Sequence, residues 1–538
     1  MPTLSWIGKE AVEKHHLEIP YRLLEYDDSL SAGDKESGNL LIQGDNLHAL
    51  KALLPYYAGK VKCIYIDPPY NTGNEGWQYN DNVNAPEIKQ WLHKVVGSEG
   101  EDLSRHDKWL CMMYPRLELL KKLLSKNGVI FISIDDTEQG NLRLLMDEIF
   151  GRDNFVNNII WQKKFSPQND AKYFSDNHDF IICYAKRKDI WVRNLLPRTE
   201  KMDSRYKNPD NDARGNWTSG DLSVKTYTPS TDYPITTPSG RIVNPPKGYC
   251  WRVSQEKLAE LIADNRIWFG KDGKNVPRIK RFITDVQTGI VPLTIWLHNE
   301  VGHNQQASQD LKSIFPEEDF PFETPKPKTL IKRILQIATM NNSLVLDSFS
   351  GSGTTGQAVL DLNKEDGGNR KFILVELEEG IAKKVTAERI KRVATGYAIQ
   401  KQNGTSEKVE GLGGGFRYCK LGEPLFNQYG NIREGVTFNQ LAYHIFFSET
   451  GVPLKENAKL NTPLIGKYKG TAYYLLFNGI LKDKKVNGGN VLTSKVLEHL
   501  PKHNGDKIIF GMASRLSAAR LKQYNIVFKQ IPVEIKTS

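Results

Sequence analysis

Two consecutive prolines at the end of an apolar run constrain this chain more than any other feature. Val61 to Tyr70 reads VKCIYIDPPY. Val61, Ile64, Tyr65 and Ile66 suit a buried strand, and Pro68 and Pro69, which have no N–H to donate, must stop its ladder. Asp67 therefore falls where a strand opens into a loop, the edge at which open α/β sheets bind ligands.

An acidic residue, two prolines and an aromatic in that order suit one kind of chemistry. The exocyclic amine of a nucleobase is a poor nucleophile because its lone pair is conjugated with the ring. A catalyst has to accept both N–H bonds and turn the lone pair toward an electrophile. Asp67 offers a carboxylate, the Pro68 carbonyl offers a second acceptor, and the two prolines stiffen the backbone that holds both. Tyr70 supplies a flat face on which an extruded base can stack. Taken alone, the four residues are better described as a proline-terminated strand with an exposed aromatic, so the chemical reading depends on a cofactor site elsewhere.

Leu344 to Asn363, LVLDSFSGSGTTGQAVLDLN, has the form of such a site. A short apolar strand ends at Asp347, a Gly/Ser loop follows, and a helix begins near Thr355. Gly351 and Gly353 let the backbone approach a ligand closely, and Thr354 and Thr355 suit the helix start. Dinucleotide and phosphate sites use the same device. No Gly-Lys-Ser/Thr follows Gly353, which excludes a nucleoside triphosphate loop. The next apolar strand, Lys371 to Leu377, carries Glu376 near its end, where a carboxylate can grip two ribose hydroxyls.

With both motifs in place, the chain resembles the amino-group DNA methyltransferases that use S-adenosylmethionine. DPPY is similar to their catalytic motif IV, DSFSGSGT to their motif I, and Glu376 stands where the acidic residue of motif II stands. Asp67 precedes Asp347 by 280 positions, the circularly permuted order of the beta class. LLIQGDNLHAL (40–50) resembles the segment whose Asp contacts the cofactor adenine, and TPKPKTLIKRIL (324–335) resembles motif X. The resemblance implies that Asp67, Pro68, Pro69 and Tyr70 are catalytic. It also implies that Asp45, Asn46, Lys326, Asp347, Phe349, Gly351, Gly353, Thr354 and Glu376 contact the cofactor. From the residues alone, Asp45 reads as an ordinary helix N-cap. Asp in place of Ser before the prolines points to adenine N6. HDKWLCMMYPRLELLKKLL (106–124) and GVIFISIDD (128–136) are most similar to the modification subunit of type III restriction systems. Such a protein methylates a flipped adenine at a specific site in double-stranded DNA, forms a homodimer and docks a helicase-nuclease restriction subunit. A solitary methyltransferase, a cytosine-N4 enzyme and a recognition component without catalysis stay open as alternatives.

The remaining sequence sets the organisation. At 538 residues the chain predicts two or more domains. A net charge of +10 fits an anionic partner. Five cysteines without a Cys-x-x-Cys pair indicate neither a zinc ribbon nor a disulfide framework. His298, Glu300 and His303 lack HExxH spacing, so no metal site is expected. No stretch is apolar enough to span a bilayer and the N-terminus lacks a signal-peptide core, so the expectation is a cytoplasmic protein without membrane association.

The expected fold is a Rossmann-like, permuted α/β methyltransferase sheet with an inserted target recognition domain and a small C-terminal α/β domain. Residues 1–185 would be the catalytic half and 323–399 the cofactor half. Their seven strands would be Leu40–Gln43, the Val61 run, Val129–Ile134, Phe155–Trp161, Phe180–Tyr184, Leu344–Asp347 and Lys371–Leu377. Residues 1–38 read as a polar approach, and Asn71 to Gly100 as a loop that closes over the site, touches DNA or is simply solvated. Asp107 to Ser125 reads as a core helix kinked or broken at Pro115, and Asp135 as a helix cap or pocket residue. Residues 186–322, rich in Pro, Gly, Thr and Trp, would recognise the target. There Arg266, Lys271, Lys274, Arg278, Lys280 and Arg281 surround Trp268 and Phe269, a basic and aromatic cluster suited to DNA phosphates. Residues 400–416 read as a linker and 417–538 as a dimerisation or partner-docking domain.

Overall fold

The computed structural model describes residues 4–72, 101–169, 171–286, 289–318, 321–400, 406–454, 460–478, 490–533 and 535. The chain divides into two units, Met1–Asn194 with Leu293–Ser538, and Leu195–Pro292.

The larger unit is built on a ten-stranded sheet. In chain order its strands are β1 (Arg22–Gly33), β2 (Leu40–Gln43), β3 (Val61–Ile66), β4 (Leu124–Ile134), β5 (Phe155–Gln162), β6 (His178–Ala185), β7 (Ile295–Trp296), β8 (Leu344–Asp347), β9 (Lys371–Glu376) and β10 (Gly415–Pro424). Their spatial order is β1-β10-β2-β9-β8-β3-β4-β6-β5-β7. The seven expected strands are contiguous within it. β10 through β4 run parallel, and β6 is antiparallel to both β4 and β5. Ile64, Ile66, Ile130, Ile132, Leu346 and Ile373 are fully buried, as strands covered on both faces require.

The decisive pairing is β3 with β8, Val345 opposite Cys63 and Leu346 opposite Ile64. From this pair the chain proceeds outward in both directions, β3 to β4 on one side and β8 to β9 on the other. It is the topological switch point at which an open sheet leaves a crevice. The DPPY turn and the glycine loop leave adjacent strand ends there.

Helices flank the sheet: α1 (Asn46–Tyr57), α2 (Glu101–Leu123), α3 (Asp136–Met146), α4 (Lys328–Ala338) and α5 (Thr354–Asp366). α2 continues through Pro115 instead of breaking. Within it the Arg116 side chain folds back on the helix, Nη1 donating to the Met112 carbonyl at 2.8 Å. The loop expected to close over the site lies largely at 73–100, outside the described residues.

Three strands extend the expected sheet. β1, RLLEYDDSLSAG, was expected as polar approach. It is an edge strand with no buried residue, which is why it lacks an apolar run. Within 400–416, expected as a linker, the described residues 400, 406–410 and 415–416 instead lie in strands. Gly396–Gln400 pairs with Ser406–Glu410, and Gly413 and Gly414, with φ near 80°, turn the chain into β10. Beyond β10, Leu464–Tyr468, Thr471–Leu475, Lys507–Gly511 and Ile526–Gln530 form a separate four-stranded sheet.

The 195–292 unit is built of short antiparallel pieces, the largest a three-stranded sheet of Ile267–Trp268, Arg278–Phe282 and Trp217–Asp221. Leu222, Ile235, Val243, Trp251, Leu258, Ile267 and Phe269 make its core.

Candidate active site

A cavity of about 730 Å³ opens at the carboxyl ends of β3, β8 and β9. Asp67, Pro68, Pro69 and Tyr70 line one side. Asp347, Phe349, Gly351, Thr354 and Glu376 line the other, and Lys326 lies between. Residues read from two distant motifs thus share one space because their strands are hydrogen-bonded neighbours.

Asp67 is held by Lys326, whose Nζ lies 2.5 Å from Oδ2. The same ammonium is 5.0 Å from the Tyr70 ring centroid. Asp67 Oδ1 and Ser350 Oγ are buried without a hydrogen-bond partner among the described residues, a state that a ligand N–H or O–H would relieve. Burial and the Asp67 charge push the Tyr70 phenol well above its ordinary range, so it stays neutral.

The turn is fixed from behind by residues that carried no motif signal. Trp109 of α2 donates its indole N–H to the Pro69 carbonyl at 2.7 Å. Asn71, in the left-handed region at φ 60°, donates to the fully buried Glu138 of α3 at 2.5 Å. Glu138 also accepts from Asn141 at 2.8 Å and contacts His106 Nδ1 at 2.5 Å. Pro69 and Asn71 are thereby anchored on either side of Tyr70.

On the cofactor side, Asp347 is a structural hub. Its carboxylate accepts from Thr355 Oγ1 at 2.5 Å and Phe349 N–H at 3.1 Å, and burial pushes it up to about 7. Glu376 accepts from the backbone N–H of Gly351 at 2.8 Å and of Glu378 at 3.1 Å, and burial raises it likewise to about 7. Gly351 has φ +48°, and a Cβ there would meet Phe322 Cζ at 2.9 Å. Gly353 has φ +79° but supports the loop without lining the cavity. The buried Arg389, which sequence reasoning missed, donates to Ser352 Oγ at 2.9 Å and Thr354 Oγ1 at 2.8 Å from behind.

Asp45 and Asn46 do not line this cavity. Asp45 caps α1 through the His48 N–H at 3.0 Å and pairs with Arg116 at 3.2 Å. Asn46 donates to the Ser348 carbonyl at 2.9 Å, supporting the loop rather than facing a ligand. Asp135 caps α3 through Thr137 N–H at 2.9 Å. Two further cavity residues carried no motif: Asp179, nearly buried at the start of β6, and Lys163, 2.5 Å from it. Burial raises Asp179 against the opposing charges of Lys163 and Lys326.

Within the 195–292 unit the six basic residues separate. Lys280, expected at a phosphate, has a fully buried side chain bound to Asp210 and to Asp212 at 3.2 Å. Its charge is spent inside the unit, so the expectation is corrected. Arg266 is held by Asp264 at 2.8 Å and Asp285 at 2.5 Å, and Arg278 by Asp221 at 2.9 Å. Lys271, Lys274, Arg278 and Arg281 are exposed. Phe269, expected among the DNA-facing aromatics, belongs to the unit's core. His298 and His303 pack against Phe165, and no cluster of metal-ligating side chains occurs among the described residues.

Comparison with known proteins agrees with this geometry. A family model for DNA methylases matches residues 61–388. The chain is 36% identical over 422 residues to the Mod subunit of the type III restriction-modification enzyme StyLTI of Salmonella typhimurium, covering 73% of this chain and 62% of that one. It is 33% identical over 425 residues to the EcoPI Mod subunit of Escherichia phage P1, covering 71% and 64%. It is 31% identical over 379 residues to the type II methyltransferase M.KpnI of Klebsiella pneumoniae, covering 66% and 84%. The chain spans less than two thirds of the length of either Mod subunit.

Proposed function

The chain belongs to the DNA methylase family, and on that premise we propose that it methylates the N6 amino group of an adenine flipped out of double-stranded DNA, using S-adenosylmethionine, as the modification subunit of a type III restriction-modification system. The observation that carries this reading is the β3–β8 pairing, by which Asp67 and the glycine loop line one cavity. The partners in this reading are duplex DNA, a second copy of the chain and a restriction subunit. No helix among the described residues is long and apolar enough to cross a membrane.

The cavity suits the cofactor by charge and by shape. Asp67 and Asp179 line it, each paired with a lysine, and burial pushes the Asp347 and Glu376 carboxyls up to about 7, so the lining carries no unpaired positive charge to oppose a ligand with a cationic sulfur. Glu376 would hold the ribose, Phe349 the adenine, and the Gly351 to Thr354 loop with Lys326 the amino-acid end. Bound there, the cofactor supplies an electrophilic methyl group on sulfur.

The chain's residues do the rest by orientation. Tyr70 stacks on the extruded base, since the amine cannot reach a methyl group while paired. The Asp67 carboxylate and the Pro68 carbonyl accept the two N–H bonds and turn the lone pair toward the cofactor side. Lys326 holds Oδ2, which leaves the buried Oδ1 of Asp67 as the acceptor for the amine. On the 195–292 unit, Lys271, Lys274, Arg278 and Arg281 would neutralise phosphates and set register.

The test is incubation of the purified protein with labelled S-adenosylmethionine and mixed-sequence duplex DNA, followed by digestion and mass spectrometry of the nucleosides. N6-methyladenine is the expected product. N4-methylcytosine would overturn the base assignment, and no incorporation into DNA would overturn the activity.

A further inference from the structure

The connection between β5 and β6 carries a feature that the reaction just described does not use. It runs from Lys163 to Asn177, and its two ends adjoin the cavity, which Lys163 and Asp179 both line. At its tip Tyr173 is 80% and Phe174 88% exposed. Single exposed aromatics are ordinary, but two adjacent ones offered to water need a reason.

The segment is built to present them. Its base is closed by Lys163 N–H and Lys164 N–H, both donating to the Asn177 carbonyl at 2.9 and 3.3 Å. Gln168 N–H donates to Ser175 Oγ at 2.9 Å, and Ser175 Oγ donates to Asn177 Oδ1 at 2.8 Å. Phe165, on the rising arm, stacks on His298 with centroids 5.4 Å apart. The exposed Lys172 lies 5.1 Å from the Tyr173 ring centroid, so a cation accompanies the aromatic pair. β5 runs parallel to β3 and β4, which brings this connection out on the same sheet edge as the DPPY turn.

We propose that Tyr173 and Phe174 are a wedge that enters the DNA duplex at the target step and fills the gap left by the extruded base, with Lys172 on a neighbouring phosphate. The inference rests on the reading of the chain as a base-flipping DNA methyltransferase. A cavity that takes one base out of a stack leaves an unpaired base and a hole behind it. Apolar or aromatic side chains inserted there recover stacking lost on extrusion. Flat rings at the tip of a connection whose two ends adjoin the cavity, carried on a hydrogen-bonded base and accompanied by a cation, have the chemistry for that position.

The experiment compares the full-length wild-type chain with the double variant Tyr173→Ala/Phe174→Ala on duplex oligonucleotides containing the methylated position mapped with the wild type. Two duplexes are used, one matched and one with an abasic site opposite the target, which removes the pairing that the wedge would replace. The expected result is a methylation rate on matched DNA lowered by about 10-fold or more, with DNA affinity changed by less than about 3-fold. On the abasic duplex the rate should return to within about 3-fold of wild type. The aromatic swap Tyr173→Phe/Phe174→Tyr should keep near-normal rates on both, which separates loss of stacking from misfolding. An unchanged rate on matched DNA would overturn the proposal and leave the pair as a protein contact. Equal loss on both duplexes would also overturn it. A wild type that methylates no DNA would overturn the underlying reading instead.

Discussion

The ammonium of Lys326 lies 2.5 Å from Asp67 Oδ2 and 5.0 Å from the centre of the Tyr70 ring, between an acceptor and an aromatic face. An adenine amine held for methylation needs the same surroundings. The lysine holds Oδ2 and leaves Oδ1 open, so one carboxylate can be oriented by the lysine while it accepts from the amine. Asp67→Ala removes that acceptor without touching the glycine loop. Turnover should fall by about 10³ or more, while calorimetric binding of S-adenosylhomocysteine stays measurable. A variant that keeps its turnover would take Asp67 out of the mechanism.

Gly351 gives the complementary outcome. Its φ of +48° disfavours any side chain, and a Cβ would stand 2.9 Å from Phe322. Gly351→Val should weaken S-adenosylhomocysteine binding by about 10-fold or more, from strain of about 1–2 kcal/mol with added crowding. Calorimetry on the two variants side by side would separate the two halves of the cavity.

Trp109 acts on the reaction only through the backbone it holds. Trp109→Phe keeps the ring and deletes the N–H that donates to Pro69. The maximal rate should fall by about 10-fold because the acceptors of the turn lose their fixed aim. Cofactor binding and melting temperature should stay close to wild type. Loss of melting temperature in parallel with rate would mean that Trp109 serves packing alone.

Asp347 sets a pH dependence of stability whose sign can be worked out. Its carboxyl, ordinarily at 3.8, is pushed up to about 7 by burial. The fold favours the protonated form, so this contribution is complete below the ordinary value and is lost as pH rises through about 7. Urea denaturation of the ligand-free protein should show wild type losing about 2–3 kcal/mol more than Asp347→Asn between about pH 5 and about pH 8. Identical pH profiles would count against a neutral Asp347.

Two lysines of the basic cluster should behave oppositely. Lys280→Met removes the buried cation that Asp210 and Asp212 share, leaving Asp212 with Arg214 at 2.9 Å and Asp210 with the Trp217 N–H at 2.8 Å, and should cost about 1–3 kcal/mol of that unit's stability. Lys274→Ala should leave melting unchanged and lower the slope of log affinity against log salt by about one. Salt titrations of DNA binding, read beside thermal melts, would distinguish them.

The parts of this site that could be read from sequence are those in which backbone geometry demands particular residues within a short span. Two prolines after an apolar run, and glycines between a strand and a helix, report local constraints wherever they occur. The cavity itself follows from them only if the two strands are neighbours, and the resemblance of motif order supplied that. Trp109 and Glu138 were invisible because an aromatic on an apolar helix face and an acid in a first helical turn have ordinary structural reasons to be there. Lys280 was misread since a buried lysine and a phosphate-binding lysine look alike until Asp210 and Asp212, about 70 positions away, fold against it. β1 was missed because an edge strand needs no buried residue. Asp45 went the way of its plain reading, a helix cap.

The sheet order has a consequence for how the protein is made. β2 pairs only with β9 and β10, and one edge of β3 waits for β8. During synthesis, at about 5–20 residues per second, the first strands leave the ribosome tens of seconds before their partners at 344–376 exist. Through that interval the nascent chain carries open, apolar strand edges that any other chain could pair with. Chaperone occupancy on translating ribosomes should therefore be greatest before codon 344 and fall once β8 and β9 have emerged.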